Sequence, residues 1–330
     1  MMLMNFCLKI REVLPLKKIM FSLFTLCLFA FPSISFADAV VGEVIVTLGE
    51  DLTEQQKQTI LKEMNATEEN NQIIYVTNEE EHQYLGNYIS KATIGSKALS
   101  SSSITIEKSG SGLEVKTKNI DWVTDEMYLN ALMTAGVKDA TIYVTAPFEV
   151  SGTAALTGLI KAYEVSSDKA ISEDVKQVAN EELVTTAKLG DEVGTENASA
   201  LMAKIKDDIA KNGVPETEAE LRTLIEESAK ELGITLTEED INNLINLFNK
   251  MKDLNINWDQ VGQQLEKAKD KISNFLNSEE GQSFLQKLKE FFIALWNAIV
   301  SFFTGNEQSA SAHIINNMNN HQISADAKIS

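Results

Sequence analysis

A short motif that occurs twice in the first half of the chain constrains the fold more than any other feature. The tripeptide YVT stands at residues 75–77 and again at residues 143–145, each time ending a run rich in β-branched and aromatic residues, which is typical of a strand. A helix-like segment follows each copy, and a helix-like segment with Thr53 or Thr124 as its expected N-cap precedes each copy. We therefore predict a duplicated β-α-β-α unit with some parallel strand pairing.

Three details of this half are predicted from local signals. Alternating runs on either side of the turn GSG at residues 110–112 are typical of a β-hairpin. The helix in NEEEHQYLGNYI is expected to begin with Asn78 as its N-cap. The second YVT strand is expected to end at Pro147, and the next helix to begin near Gly152.

Residues 166–303 contain no strand-like run and show helical periodicity throughout. Ser172 is expected to cap the first helix, and Gly213 to end the second. The last two helices carry apolar residues at alternating spacings of four and three, which predicts an antiparallel helical hairpin. Their seams are Val261, Leu265, Ala268, Ile272 and Phe275, and Leu288, Phe292, Leu295, Ile299 and Phe302.

The predicted fold is therefore α+β or α/β, with three regions after an N-terminal leader. Residues 38–165 form an α/β domain, residues 166–303 form an all-α helical domain, and residues 304–330 form a disordered polar tail.

The leader, residues 1–37, is predicted to be a secretory signal peptide. A basic start precedes an apolar run of 13 residues, and the small residues Ser35 and Ala37 occupy the positions that a signal peptidase reads. The apolar run is too short to remain as a membrane-spanning helix. We expect cleavage after Ala37 and a secreted, extracytoplasmic protein.

Cysteine content and charge then exclude several classes of function. Both cysteines, Cys7 and Cys27, lie in the leader, so the mature chain has no disulfide, no cysteine nucleophile and no thiolate metal site. The leader takes four basic residues and one acidic residue from a net charge of −19, which leaves −22. Such a charge disfavours binding to nucleic acid or to anionic lipid.

Three stretches of the chain carry a resemblance to a known family. They are VGEVIVTLGEDLTEQQK, TDEMYLNALMTAGVKDATIYVTAPFEVSGTAALTGLIKAYE, and LFNKMK followed by Trp258. Together they resemble the YpuA-like family. The family's members are exported proteins of Gram-positive bacteria, and its domain has no assigned function. The resemblance, which covers residues 38–303, implies an extracytoplasmic role at the cell envelope. It implies no reaction, cofactor or catalytic residue.

The turn around Ser151 has two interpretations. Its glycines, Gly152 and Gly158, lack the order and the lysine of a phosphate-binding loop, and Ser151 lacks the glycines of a nucleophile elbow. Ser151 or Thr153 can cap the following helix, or the free N–H groups of its first turn can bind an anion. Gly158 falls within the helix, where close packing against the sheet is the expected reason for a glycine.

The other candidate chemistry lies in NEEEH, where Glu79 and His82 have a spacing that can ligate a metal from one helix. Three acids also suit the first turn of a helix electrostatically, and we assign no metal site. If the two YVT strands are parallel, their following loops share the carboxyl edge of the sheet. The candidate ligand-binding residues at that edge are Asn78, Glu79, His82, Glu149, Ser151 and Thr153.

A second candidate surface is the apolar run FFIALWNAIVSFF, residues 291–303. It either faces the core of the helical hairpin or contacts a partner or the membrane surface, since it is too short to span a bilayer. Its candidate interaction residues are Phe292, Leu295, Trp296, Ile299 and Phe302.

The sequence predicts a secreted or envelope-associated protein that binds an envelope protein or a wall component and is not a catalyst. No catalytic residue or cofactor is assigned, and the oligomeric state is left open. The alternative is an extracytoplasmic hydrolase with its site at the loop edge of the α/β domain, where an Asp/Glu pair or a serine would act.

Overall fold

Strand directions in the sheet determine where the candidate residues meet. The computed structural model describes residues 41–167, 169–254 and 256–276, with side chains described up to residue 269. In these residues one sheet has the order β2-β1-β3-β5-β4. The pairs β1–β2 and β4–β5 are parallel, and β3 is antiparallel to both β1 and β5. All strands except β3 therefore point the same way. The strands are β1 Val44–Gly49, β2 Gln72–Val76, β3 Ser101–Ile106, β4 Leu113–Ile120 and β5 Ala140–Val150.

Helices surround this sheet and then continue alone to the end of the described chain. Their bounds are α1 Glu54–Glu63, α2 Asn78–Leu85, α3 Lys91–Ile94, α4 Asp125–Thr134, α5 Thr153–Ser167, α6 Glu173–Val193, α7 Thr195–Asn212, α8 Glu218–Glu231, α9 Glu238–Asp253 and α10 Trp258–Leu276. The predicted succession of an α/β part and a helical part is confirmed. Within the described ranges, no helix combines the length and the apolar composition needed to cross a bilayer.

The predicted order β-α-β-α occurs twice, as β1-α1-β2-α2 and β4-α4-β5-α5. Thr53 and Thr124 are the N-caps of α1 and α4, as predicted. The packing of the two units differs, however. Helix α1 packs on the sheet face that presents Val46 and Leu48, whereas α4 belongs to the core on the opposite face, with Ile142. The two units share their order of elements but not their packing.

The predicted β-hairpin between β3 and β4 is wrong, because β5 lies between these two strands. Asp139, directly before β5, binds the loop that connects β3 to β4. Its carboxylate accepts hydrogen bonds from the backbone N–H of Gly110 (3.0 Å) and Gly112 (2.9 Å), and its carbonyl accepts one from Glu107 N at 2.7 Å. The loop thus passes around the start of β5.

Two predicted boundaries also need correction. Strand β5 does not end at Pro147 but continues to Val150. Its pairing with β3 reaches only to Thr145, so a residue without an N–H is tolerated beyond that point. The N-cap of α2 is Thr77 and not Asn78, because Thr77 and Glu80 form a reciprocal capping box.

One hydrophobic core joins the sheet to the helical part. Its members extend from Ile45 in β1 through α4 and α5 to Leu265 in α10. The predicted cap Ser172 and the predicted helix end at Gly213 are both observed. The boundary near residue 165 marks a change of element type, while the division into two domains stays a prediction.

A buried ion pair crosses this core between α6 and α7. The Lys206 ammonium lies 2.8 Å from the Glu182 carboxylate, and both side chains are 0% exposed. Lys206 also donates to the Asn130 carbonyl and to the Thr134 hydroxyl, each at 2.7 Å, and Thr134 in turn donates to Glu182. Burial lowers the pKa of Lys206, and Glu182 acts against this shift. Since all three of its donors are used, Lys206 is held as part of the fold.

Several predictions fall outside the described residues. They are the signal peptide at residues 1–37, the second helix of the hairpin with Phe292, Leu295, Trp296, Ile299 and Phe302, and the polar tail at residues 304–330.

Candidate functional site

The carboxyl edge of the sheet brings the two YVT loops together. Strand β2 leads into α2 and strand β5 leads into α5 at this edge. The Thr153 hydroxyl donates to Glu81 Oε1 at 2.5 Å, and Asn78 Nδ2 donates to Glu81 Oε2 at 3.3 Å. Asn78 and Thr153, one from each loop, therefore bind the same carboxyl group.

An ion pair reinforces the contact between the two helices at this edge. Lys161 in α5 lies 2.7 Å from the Glu80 carboxylate in α2 and donates to the Tyr75 carbonyl at 2.9 Å. Both charged side chains are about one-third exposed, so the pair contributes modestly to stability. Its clearer role is to fix α2 beside α5, which holds Glu81 against Thr153.

The other candidate residues are arranged less favourably for a shared site. The Ser151 and Thr153 hydroxyls lie 3.1 Å apart, so the groups predicted as helix caps bond to side chains. The His82 Nε2 atom lies 3.0 Å from the Gly95 carbonyl oxygen. Glu79 and Glu149 are exposed. The structure thus groups Asn78, Ser151 and Thr153 around Glu81 and leaves the other three residues outside this cluster.

Gly152 allows this close arrangement. It has a φ of +88°, and an added Cβ would lie only 2.5 Å from both Ile120 Cγ2 and the Tyr128 hydroxyl oxygen. The Tyr128 hydroxyl donates to the Gly152 carbonyl. Any other residue would be strained by its backbone conformation and would clash with these neighbours. Gly152 therefore serves the packing of the turn.

Glu81 is the residue that sequence reasoning missed at this edge. Its side chain is only 2% exposed. Burial is the main cause that raises the pKa of Glu81 to about 7; the hydrogen bonds from Thr153 and Asn78 oppose this shift, and the charge of Asp51 adds slightly to it. One signal was present in the sequence: Asn78, Glu81 and Leu85 fall on one helical face at spacings of three and four, and Leu85 is apolar.

The chemistry available at this edge is limited by access. A carboxyl group with a pKa near 7 can exchange a proton near neutral pH. Its two oxygens, however, already accept bonds from Thr153 and Asn78, and the group is nearly closed to solvent. The edge cluster is therefore a polar contact inside the fold.

A different arrangement occurs in a cleft between α6, α9 and the turn after α2, which we call the α6–α9 cleft. It has a volume of about 630 Å³, within the range of ligand pockets. Its lining includes the buried apolar side chains of Val184, Leu189 and Leu244 and the half-buried side chain of Tyr88. Three asparagines of α9 line one wall, namely Asn243, Asn246 and Asn249.

The charges in the α6–α9 cleft divide into paired and unpaired groups. Lys250 contacts both oxygens of Glu181, at 2.7 and 2.8 Å, and Lys188 donates to the Tyr88 carbonyl at 2.5 Å. Among the described residues, no ion-pair partner faces the carboxylates of Glu192, Glu239 and Asp253, and no hydrogen-bond partner faces the three asparagine amides. The cleft therefore presents polar groups that the fold does not use.

Comparisons with known proteins identify relatives but no activity. Residues 48–268 match the model of the family described as protein of unknown function (DUF1002). The chain is 65% identical over 272 residues to a Bacillus subtilis (strain 168) protein named "Uncharacterized protein YpuA", a match that covers 82% of this chain and 93% of that protein. No solved structure matches the chain. Because the family model covers most of the chain and the identity is high, the chain belongs to this DUF1002 family of proteins of unknown function.

Proposed function

We propose that this chain is an exported protein of the cell envelope that acts by binding a partner through the α6–α9 cleft. One observation carries the proposal: the unpartnered amides and carboxylates gather in this open cleft, whereas the polar groups at the sheet edge are satisfied internally. Polar groups that no internal partner satisfies are available to a ligand. The basic-apolar-small pattern of residues 1–37 supports export.

A hydrolase at the sheet edge is the second candidate, and Glu81 is the observation that favours it. Its pKa of about 7 suits a general base, and the Ser151 hydroxyl is near through Thr153. The 2% exposure of Glu81 disfavours this candidate, since a general base must reach its substrate. Incubation with chromogenic ester, amide and glycoside substrates tests it, and hydrolysis that disappears in Glu81→Gln would favour the enzyme.

Export is tested by the intact mass of the protein in a Gram-positive host that expresses the full chain. We expect the product in the extracytoplasmic fraction, with a mass that corresponds to an N-terminus at Asp38. The matched control is Ala37→Leu, which places a bulky residue where the peptidase needs a small one and should leave the precursor uncleaved. Full-length protein in the cytosolic fraction would contradict the proposal.

Binding is tested by photo-crosslinking in the same cells, with a benzophenone amino acid in place of Asn246. The control position is Glu68, an exposed residue of the α1–β2 loop. We expect one crosslinked species from the cleft position, absent from the control position and lost when Glu192, Glu239 and Asp253 are neutralised. Equal labelling from both positions, or none from Asn246, would overturn the proposal.

A further inference from the structure

We infer that the ligand of the α6–α9 cleft is a basic peptide segment in an extended conformation. This inference rests on the proposed function, since it names the partner's chemistry at the same site. Three features of the cleft carry it: the sign of its unpaired charges, the row of amides on α9, and the internal pairing of its lysines.

Charge comes first. Five acidic and two basic side chains line the cleft. Lys250 is bound to Glu181 and stands 5.4 Å from the centre of the Tyr88 ring, so it is held in place from two sides. The carboxylates of Glu192, Glu239 and Asp253 are exposed and form no ion pair within the described part of the chain. An ammonium or guanidinium group would donate charge-assisted hydrogen bonds to them, whereas a phosphate or carboxylate would be repelled.

The amides argue for a peptide over a simple amine. Asn243, Asn246 and Asn249 follow one another at steps of three residues on α9. At 1.5 Å per residue the three positions span about 9 Å along the helix axis, which is comparable to about three residues of an extended chain. Each side-chain amide carries both donors and an acceptor, as a peptide group does. The row can therefore bind a peptide backbone while the carboxylates bind its basic side chains.

Calorimetric titration of the folded protein with acetylated, amidated tetralysine in 0.15 M salt tests the inference. The cleft variant is Glu192→Gln/Glu239→Gln/Asp253→Asn. The matched control, Glu68→Gln/Glu69→Gln/Glu227→Gln, removes the same charge from exposed residues elsewhere. We expect the control to bind as the wild type does and the cleft variant to bind at least about tenfold more weakly, a change of about 1.4 kcal/mol.

A second variant, Asn243→Ala/Asn246→Ala, leaves every charge in place. Alanine favours a helix more than asparagine does, so folding is preserved, and we expect a several-fold weaker affinity for tetralysine. Pentane-1,5-diamine, which has ammonium groups but no backbone, should bind weakly and should not respond to this variant.

Three results would overturn the inference. They are no binding of tetralysine to the wild-type protein, equal losses in the cleft and control variants, and indifference of the peptide to the amide variant. Each of these would leave the proposed function standing if the crosslink from Asn246 persists, so the two failures are distinguishable.

Discussion

The sheet edge and the α6–α9 cleft hold similar polar groups in opposite situations. At the edge, Glu81 is 2% exposed and accepts hydrogen bonds from Asn78 and Thr153. In the cleft, Glu192 and Asn246 are exposed and have no partner among the described residues. Residue type alone therefore does not mark a site. What differs is whether the fold already uses each group, because a satisfied buried group supports stability and an unpartnered exposed group can bind a ligand.

This comparison predicts that substitutions at inward-facing polar groups lower stability and leave binding intact. Substitutions in the cleft should weaken binding and leave stability intact.

The largest effect is expected from Lys206→Met. Removal of the ammonium leaves the Glu182 carboxylate buried without a cation, which should lower the free energy of unfolding by about 3–5 kcal/mol. Urea unfolding followed by circular dichroism measures the loss, and adding Glu182→Gln should recover part of it. The control Lys230→Met alters an exposed lysine and should change stability by no more than about 0.5 kcal/mol. Equal effects of the two substitutions would contradict the structural role of the pair.

Glu81 should make stability depend on pH. Its pKa is about 7 when folded and 4.5 in the reference state, so between these values the unfolded chain loses a proton that the folded chain keeps. Stability should then fall as pH rises from about 4.5 to 7, by about 1.4 kcal/mol per unit and about 3 kcal/mol in all. Below and above this window the contribution of Glu81 is constant.

The variant Glu81→Gln keeps a neutral group and should lack this loss, so its stability relative to wild type should rise between pH 5 and pH 8. Glu79→Gln, on the same helix but exposed, provides the control and should show no such trend. A flat difference for Glu81→Gln would mean that its carboxyl is ionised in the fold.

A smaller effect is expected from Gly158→Ala, which tests how tightly α5 packs on the sheet at this edge. The added Cβ would lie 2.6 Å from Thr47 Oγ1 and 3.0 Å from Val76 Cγ2. Such overpacking should cost about 1–3 kcal/mol, measured as a lower urea midpoint. The affinity for tetralysine should not change. A stabilised variant would show that the helix and sheet are not in close contact.

The smallest effect on stability is expected from the triple cleft variant Glu192→Gln/Glu239→Gln/Asp253→Asn. These carboxylates contact no cation among the described residues, so stability should change by no more than about 0.5 kcal/mol. Thermal unfolding measures it. A loss of several kcal/mol would show that the fold itself uses these carboxylates.

Local signals predicted the elements of this fold well. Thr53, Thr124 and Ser172 were predicted as caps because a cap is encoded within a few residues. The repeated YVT motif predicted two β-α-β-α units, and the parallel strands place their loops at one edge. Gly158 was expected to mark close packing, and this is confirmed because a Cβ added there would lie only 2.6 Å from Thr47 Oγ1.

Long-range pairing could not be predicted in the same way. The β-hairpin prediction is wrong because β5 inserts between β3 and β4. Strand β5 begins more than 25 residues after the GSG turn at residues 110–112. Glu81 was missed because its burial depends on which face of α2 meets α5. The α6–α9 cleft was missed because its walls are separated by more than 40 residues of sequence, and no local pattern reports that they meet.

The most direct test of the account measures stability and tetralysine affinity on the same two variants, Thr153→Val at the edge and the triple cleft variant. Thr153→Val removes the hydroxyl that donates a hydrogen bond to Glu81. This change should lower the free energy of unfolding by about 1–3 kcal/mol and leave the affinity for tetralysine unchanged. The cleft variant should keep its stability and lose at least about tenfold in affinity. A Thr153→Val protein that stays stable but loses the peptide would contradict the account, because it would place the binding site at the sheet edge.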